Sequence, residues 1–424
     1  MLDGGLGPAG RGSAGQGAHK IVPLHLGEEN VWDFDGSSMV NMSKDQQFSA
    51  MAWLNKLDTF KSVGDMRTWL TARNPLLDPK GLKRIVVVGA ADEGIRLVEL
   101  CGKRGIEVVA VCDDNPKKQG MSIGGTAVRP VDALKDIHRN LPVIIASHRV
   151  LKALERIRGM GFRHVAPFAL LEVLDPKAFP PHMFYDGWLE DLFAHRDRYR
   201  ALAGLLADDL SRRVLDAVLG FRLTLEADTL SPIVEWDLYG PASLLTYGED
   251  EVYVDGGSFD GDTIRLFIER VHNKFSRILA FEPDRNTFQR LVANFAHEIR
   301  VEPINAGLHR KKATLHFDNA GTRGSIIVEE GGIEIPVVGL DEVLGKDRVT
   351  YIKMNIEGAE LEALKGAEQA IVRCKPTLAI SAYHRPSDLW QVPELIRSLC
   401  PDYRLYLRQH DGGVIETVLY ALAR

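Results

Sequence analysis

From Leu82 onward, apolar and polar positions repeat in one order: a short apolar run, a glycine turn, then a stretch with helical period. KRIVVVGAADEG (83–94) predicts a buried strand running through a turn into the helix IRLVELCGKRG, and IEVVAVCDD (106–114) predicts the next strand. PVIIAS (142–147), a helix to about Arg158 and HVAPFALL continue the series. Such alternation predicts a parallel sheet with helices on its faces, here a Rossmann-like unit over 80–175. The order restarts at Glu251 with EVYVDGG, a helix from about Asp262, RILAFEP and the helix NTFQRLVANF. VEPINAGL, TLHFDN, IEIPVVGLDEVL, VTYIKMNIEG, the helix ELEALKGAEQAIV and PTLAISAYH extend it. The last stretch, YRLYLRQHDGGVIETVLYALA, predicts two strands joined by an Asp411-Gly412-Gly413 turn, a hairpin signal. The expected fold class is α/β, with two tandem Rossmann-like units, the second (249–424) ending in an antiparallel β-hairpin.

Residues 44–79 form a helical lead-in by pattern (FSAMAWLNKLDTF, MRTWLTA), and 1–43 form an extension expected to be disordered. Its first 17 residues hold seven glycines and no aromatic residue, and ordering glycine is hard to offset without apolar burial. Translation beginning at Met39 or Met42 would also explain this segment, which lacks the basic head and apolar run of a signal peptide. Residues 176–248 are helical and rich in aromatic side chains, among them Phe184, Tyr185, Trp188, Tyr199, Phe221 and Tyr239. Two readings stay open for them: interhelical packing, or a lid over the neighbouring site that helps bind an acceptor.

Composition narrows the class. The chain has 424 residues, 45% hydrophobic and 26% charged, which fits two or three folded units and excludes collagen-like, coiled-coil and wholly disordered chains. Fifty-eight acids against 52 Lys and Arg leave a net charge of −6, so nothing argues for a nucleic-acid partner. Apolar runs are strand-sized, so no membrane insertion is expected. Cys101, Cys112, Cys374 and Cys400 form neither a disulfide framework nor a CxxC metal pair, which suits reduced thiols in the cytoplasm. His309, His316 and His410 show no ligand spacing, so no metal site is expected.

The chemistry concentrates in VYVDGGSFDGDT (252–263), a strand that enters a glycine-rich turn and then a helix. Gly256, Gly257 and Gly261 permit conformations or approaches that a Cβ would block, and the helix offers free N–H groups. The spacing is not G-x-G-x-x-G. The acids Asp255, Asp260 and Asp262 would repel a pyrophosphate but suit the ammonium and sulfonium charges of S-adenosyl-L-methionine. Glu282 closes the next strand, 27 residues after Asp255, where an acid can accept both hydrogen bonds of a ribose diol. Asn305, after the third strand, either meets an adenine edge or is a turn residue.

VDGGSFDGDT, FEPDRNTFQRLVANF, GLDEVL, IKMNIEGAE with LKGAE, and LAISAYHRPSDLWQVPELI with ETVLYA resemble, in order and spacing, the FkbM family of S-adenosylmethionine-dependent O-methyltransferases. The resemblance covers about 250–422. It implies a class I methyltransferase sheet of order 3-2-1-4-5-7-6 with the seventh strand antiparallel. It also implies methylation of a hydroxyl on a saccharide, glycolipid or secondary-metabolite acceptor. On that resemblance Asp255, Gly257 and Gly261, in the turn with Gly256, Ser258, Asp260 and Thr263, would line the methionine part of the cofactor, and Glu282 would hold its ribose. Asn355 stands where the family's Lys-x-Asp-x-Glu-Gly pattern has Asp, at the tip of the fourth strand beside the transferred methyl. Asn keeps the hydrogen-bond geometry without the charge or the basicity, so Asn355 is a binding residue and not the base.

A base near the acceptor hydroxyl is still required, and His384, Glu357 and Lys353 sit at or just past the ends of strands four and five. His384 titrates near neutrality and is the best intrinsic base, unless it is a loop histidine capping a carbonyl. Glu357 is a base, a cofactor contact or a helix cap; Lys353 is a base or a structural ion-pair partner. Asp341 is expected to be an N-cap.

The first unit lacks the Lys-Ser/Thr of a phosphate loop, and Asp113 or Asp114 closes its second strand as a candidate ribose acid. DDNPKKQGMSIGGTAVRPVDAL resembles the nucleotide-sugar-binding module of sugar acyltransferases; a docking or dimerisation sheet with an empty crevice reads equally well, and a homo-oligomer is compatible with it. An oxidoreductase reading is disfavoured because no Tyr-x-x-x-Lys pair follows. The alternative to methyl transfer is a non-catalytic S-adenosylmethionine- or nucleotide-sugar-binding regulatory protein.

Overall fold

Two α/β sheets, built from the two alternating stretches of the sequence, organise the chain. The computed structural model describes residues 51–317, 327–328 and 333–423, all within one unit, Ser49–Arg424. The expected 1–43 extension and the start of the lead-in fall outside these residues. The rest of the lead-in is two helices, α1 (Ala52–Leu57) and α2 (Val63–Arg73), the latter capped by the Ser62 side chain accepting from the Asp65 N–H.

The first sheet contains β1 (Arg84–Val88), β2 (Glu107–Cys112), β3 (Ser122–Ile123), β4 (Thr126–Arg129), β5 (Val143–Ile145) and β6 (Val165–Pro167) in the order β3-β4-β2-β1-β5-β6. All pair in parallel except β3 with β4. Helix α3 (Asp92–Arg104) joins β1 to β2, with acids in its first turn, Lys103 and Arg104 in its last, and Gly105 as a left-handed cap at φ 67°. Helix α4 (Leu151–Gly159) joins β5 to β6. Chain order reverses between β1 and β5, the switch point at which open α/β sheets bind ligands.

A helical segment follows: α5 (Ala169–Leu174), α6 (Trp188–Ala194), α7 (Arg196–Leu205) and α8 (Asp209–Thr224). Most of its aromatic residues, including Tyr185, Trp188, Tyr199 and Phe221, are buried in packing contacts.

The second sheet has seven strands: β7 (Glu251–Gly256), β8 (Phe275–Phe281), β9 (Val301–Ile304), β14 (Tyr351–Met354), β15 (Thr377–Ser381), β16 (Arg404–Gln409) and β17 (Thr417–Leu422). Its order, β16-β17-β15-β14-β7-β8-β9, reads from β9 inward as 3-2-1-4-5-7-6 in local numbering, and β17 pairs antiparallel with both neighbours. This is the order the family resemblance implied. Helix α9 (Asp262–Arg270) follows β7, and α10 (Arg285–Asn294) follows β8 with Asp284 as its cap, accepting from the Thr287 N–H at 2.8 Å. Beyond them lie α11 (Leu340–Leu344), α12 (Glu360–Lys365), α13 (Glu368–Cys374) and α14 (Asp388–Leu399). Stacked rings fill one face of the sheet, with Tyr253 4.4 Å from Phe267 and 5.1 Å from Tyr351 between centroids.

One expectation needs correcting. TLHFDN and IEIPVV do not extend the main sheet; with β10 (Gly307–Leu308) and β12 (Ile327–Val328) they form a separate sheet, β10-β13-β11-β12. Here β11 is Ala313–Phe317 and β13 is Ile333–Val338, paired antiparallel. The alternation Glu334 out, Ile335 in, Pro336 out, Val337 in gives one buried face, as suits an antiparallel layer and not a strand buried on both sides.

The final hairpin has a second task. Its turn docks against the end of β5: the N–H groups of Val150 and Leu151 donate to the Gly412 carbonyl at 3.1 and 2.8 Å, and Arg149 bridges Gly413. A Cβ on Gly413 would lie 1.8 Å from the His148 carbonyl oxygen, and one on Gly412 would lie 2.2 Å from the Leu151 Cβ. Two successive glycines are what allow the sheets to meet here.

Candidate active site

The turn after β7 is held from below. Asp255 is fully buried, and its carboxylate takes the Lys353 ammonium on one oxygen at 2.8 Å and the Thr263 hydroxyl on the other at 2.6 Å. Lys353 spends its remaining donors on the carbonyls of Gly256 and Gly257, at 3.1 and 2.9 Å. The Ser258 hydroxyl donates to the Asp255 carbonyl. Gly257 sits at φ 75°, where a Cβ would be 2.0 Å from the Asn355 carbonyl oxygen. The β7 turn and the β14 tip therefore touch along their backbones.

Above this frame lies a cavity of about 530 Å³. Gly257, Thr263, Glu282, Lys353, Asn355 and Glu357 line it; Asp255, Gly256, Ser258, Asp260, Gly261, Asn305 and His384 do not. The reasons are local. Asp255 and Ser258 face the interior, Asp260 pairs with Arg265 at 2.9 Å, and a Cβ on Gly261 would collide with the Phe295 ring. Asn305 is a turn brace, its amide donating to the carbonyls of Glu282 and Pro283 at 2.9 and 3.1 Å.

Glu282 is buried at the end of β8 and faces the cavity. One carboxylate oxygen accepts from the Phe259 N–H and the other from the Asp284 N–H, each at 2.9 Å. Each oxygen keeps a lone pair for a ligand. Burial raises its pKa to about 7, against the pull of these two N–H groups.

The candidate bases separate clearly. Lys353 is a charged clamp with every N–H engaged, so it has no lone pair with which to take a proton. His384 is fully buried between carboxylates, with Nδ1 3.0 Å from Glu360 and Nε2 3.7 Å from Glu357. Burial alone would lower its pKa; the Glu360 and Glu357 charges outweigh that and push it up to about 9. It is therefore a cation near neutrality that steadies Glu357 from behind, which corrects the expectation of a free imidazole base. Glu357 itself lines the cavity at φ 55°, an uncommon backbone conformation for a side chain of its kind. Asp341 is not the N-cap of the helix it was expected to start: Gly339 holds that position before α11, and the Asp341 carboxylate instead accepts from the N–H groups of Gln369 and Ala370 in the first turn of α13.

Of the other lining residues, Phe184 and Tyr239 belong to the aromatic set of 176–248 that pattern left open between packing and a lid; the rest carry no sequence signal. Tyr239 and Tyr383 come from the helical segment and the β15 end, and Tyr383 donates to the Asn355 side-chain oxygen at 3.3 Å. Glu416 precedes β17, and burial raises its pKa. His148 and Arg149 follow β5, and His182 and Phe184 follow α5. Leu308, Leu315, Ile335 and Val337 of the small sheet supply an apolar wall.

Sequence spacing suggested no metal ligands, yet the fold gathers two groups of them among the described residues, Glu93–His148–His182 and Glu360–His384–Asp388. Each already holds a cation of the protein's own: Arg96 bonds Glu93 at 2.5 Å, and His384 is the cation of the second group. In the first unit, Asp113 accepts from the Ala90 and Asn115 N–H groups and from Lys118, and Asp114 accepts from the Val131 N–H and pairs with Arg156. All four cysteines are free, and no described helix is long and apolar enough to cross a membrane.

Comparison with known proteins agrees with this geometry. Residues 255–412 match the family model described as the methyltransferase FkbM domain. The crystal structure of a methyltransferase FkbM from Methylobacillus flagellatus is similar at 27% identity and a TM-score of 0.67, over 89% of this chain and 98% of that one. A Haloferax volcanii protein described as hexuronic acid methyltransferase AglP is 29% identical over 130 residues, which are 29% of this chain. The match spans about half the length of that curated relative, 52%. Sheet order, the buried turn after β7 and these likenesses agree: residues 255–412 of this chain are an FkbM methyltransferase domain.

Proposed function

We propose that the chain is an S-adenosylmethionine-dependent O-methyltransferase acting on a hydroxyl of a saccharide, glycolipid or secondary-metabolite acceptor. One observation carries this reading. A single cavity is bounded by the glycine turn after β7, by Glu282 at the end of β8, and by Asn355 and Glu357 past β14. The residues fit the cofactor. Glu282 offers two unspent lone pairs to a ribose diol, and Leu308, Ile335 and Val337 offer an adenine an apolar wall. Asp262, Glu282, Asp284, Glu357 and Glu416 outnumber Arg149 and Lys353 along the lining, which favours a cationic ligand. The Haloferax relative's description supports a sugar acceptor.

Bound S-adenosylmethionine supplies an electrophilic methyl on a sulfonium. The chain's part is positioning. Tyr383 and Asn355 meet at the β14 tip and fix polar groups beside the reacting centre. Glu357 is the carboxylate that takes the hydroxyl proton, oriented by His384 and Glu360 behind it. Tyr239, Phe184 and Ile415 exclude water from the acceptor side.

The test is calorimetry with S-adenosylmethionine followed by methyl transfer from labelled cofactor to a panel of saccharides. Cofactor binding with a labelled sugar ether is expected. Binding without transfer to any acceptor, with transfer gained by Asn355→Asp, would favour the regulatory reading that the Asn at this position raises. Cofactor affinity should also fall as the pH drops through about 7, because Glu282 then takes up a proton and loses an acceptor site. Between pH 8 and pH 6 the loss should be roughly tenfold, which titrations at the two pH values read directly. An affinity independent of pH over that range removes Glu282 from the ribose.

A further inference from the structure

The first sheet reaches into this cavity with one cation that the protein leaves available. Lys353 has spent all its donors. Arg149 has not: its guanidinium lies 3.4 Å from Asp411 and 3.9 Å from Glu416, and its side chain makes no hydrogen bond among the described residues. The side chain is 58% exposed and lines the cavity. Asp411 and Glu416 set its place, while its fork of N–H groups remains open to a ligand. Burial raises the pKa of both acids, and the charge of Arg149 pulls each back down.

Its position is built. Arg149 follows β5, at the switch point of the first sheet, and the backbone bridge to Gly413 ties it to the hairpin of the second. Beside it stand His148 and His182, whose rings lie 4.7 Å apart between centroids. Nδ1 of each ring is engaged, that of His182 accepting from the Phe184 N–H at 3.3 Å and that of His148 meeting the Tyr185 hydroxyl at 3.4 Å, so each ring offers Nε2 to a hydroxyl group. Phe184 and Tyr383, 5.7 Å apart between centroids, add apolar ring surface.

We propose that Arg149, with His148 and His182, forms an acceptor subsite that recognises an oxyanion carried by the sugar, a carboxylate or a phosphate. The proposal rests on the methyl-transfer reading for the word acceptor, but the binding itself does not require the cofactor. The first sheet then serves as the specificity element of the second: it reads the acceptor's acidic group while the second sheet holds the reacting hydroxyl.

The experiment measures binding of three probes to the full chain, with and without S-adenosylhomocysteine: a uronic acid methyl glycoside, the matching neutral hexoside and the hexose 6-phosphate. One acidic probe should bind roughly ten- to hundredfold more tightly than the neutral one. Which acid wins distinguishes carboxylate from phosphate. Arg149→Gln should erase the preference, and Arg149→Lys should keep only part of it, since an ammonium lacks the fork. Titration of S-adenosylhomocysteine into both variants shows whether they remain folded. Equal binding of acidic and neutral probes by the unaltered protein overturns the proposal, as does an undiminished preference in Arg149→Gln or failure of all three probes to bind. Failure of S-adenosylhomocysteine to bind the unaltered protein counts against methyl transfer instead, and leaves the sugar comparison to be read on its own.

Discussion

Replacing Lys353 with methionine is expected to cost the fold about 3–5 kcal/mol, because it strands the Asp255 carboxylate in a fully buried position. The loss is larger than that of an ordinary ion pair. Lys353 also ties down the carbonyls of Gly256 and Gly257, so the turn after β7 loses its support together with its charge balance. Asp255→Asn combined with Lys353→Met removes the stranded charge, and the double variant should recover most of the stability. Urea denaturation of the two single variants and the double variant forms the cycle that separates these effects. If the double variant is no more stable than Lys353→Met alone, the charge of Asp255 is not what Lys353 holds. S-adenosylhomocysteine affinity should fall in both, since a relaxed turn no longer presents Gly257 at φ 75°.

The second large effect is expected at Glu282. Substitution by alanine removes a charged acceptor of two ribose hydrogen bonds, each contributing about 1.5–3 kcal/mol, so S-adenosylhomocysteine should bind at least about a hundredfold more weakly. It also leaves the Phe259 and Asp284 N–H groups without their acceptor, which loosens the rim on both sides. Calorimetry at pH 8, where the unaltered carboxylate is ionised, gives the comparison. Unchanged affinity there would falsify the assignment of Glu282 to the ribose. Asn305→Ala serves as a contrast: its amide braces carbonyls next to Glu282 without lining the cavity, so affinity should fall much less than for Glu282→Ala.

The two expectations illustrate how residues of one motif divide into different tasks. Asp255 and Glu282 are both acids at the ends of adjacent parallel strands. Asp255 points into the interior and meets a lysine from the next strand, whereas Glu282 turns its carboxylate to the cavity. The strand ends and glycine turn were legible from pattern alone, but not which carboxylate a neighbouring strand would neutralise. The same holds for His384, whose intrinsic chemistry suggested a base. Glu360 and Glu357 surround it only because the β14 tip and α12 fold back across the end of β15.

What the amino-acid order determined by itself is local. Apolar runs four to seven residues long, separated by glycine turns and helix-period stretches, specify parallel strands with crossover helices, and the final run with its Asp-Gly-Gly turn specifies an antiparallel pair. These rules act between near neighbours, so they can be read along the chain. The tertiary structure alone decided which side chains meet in the cavity. Arg149 and Glu416 are 267 positions apart, and their encounter depends on two glycines letting one sheet's end approach the other's backbone. Contacts of that kind follow from packing distance and shape, which no periodicity in the chain encodes.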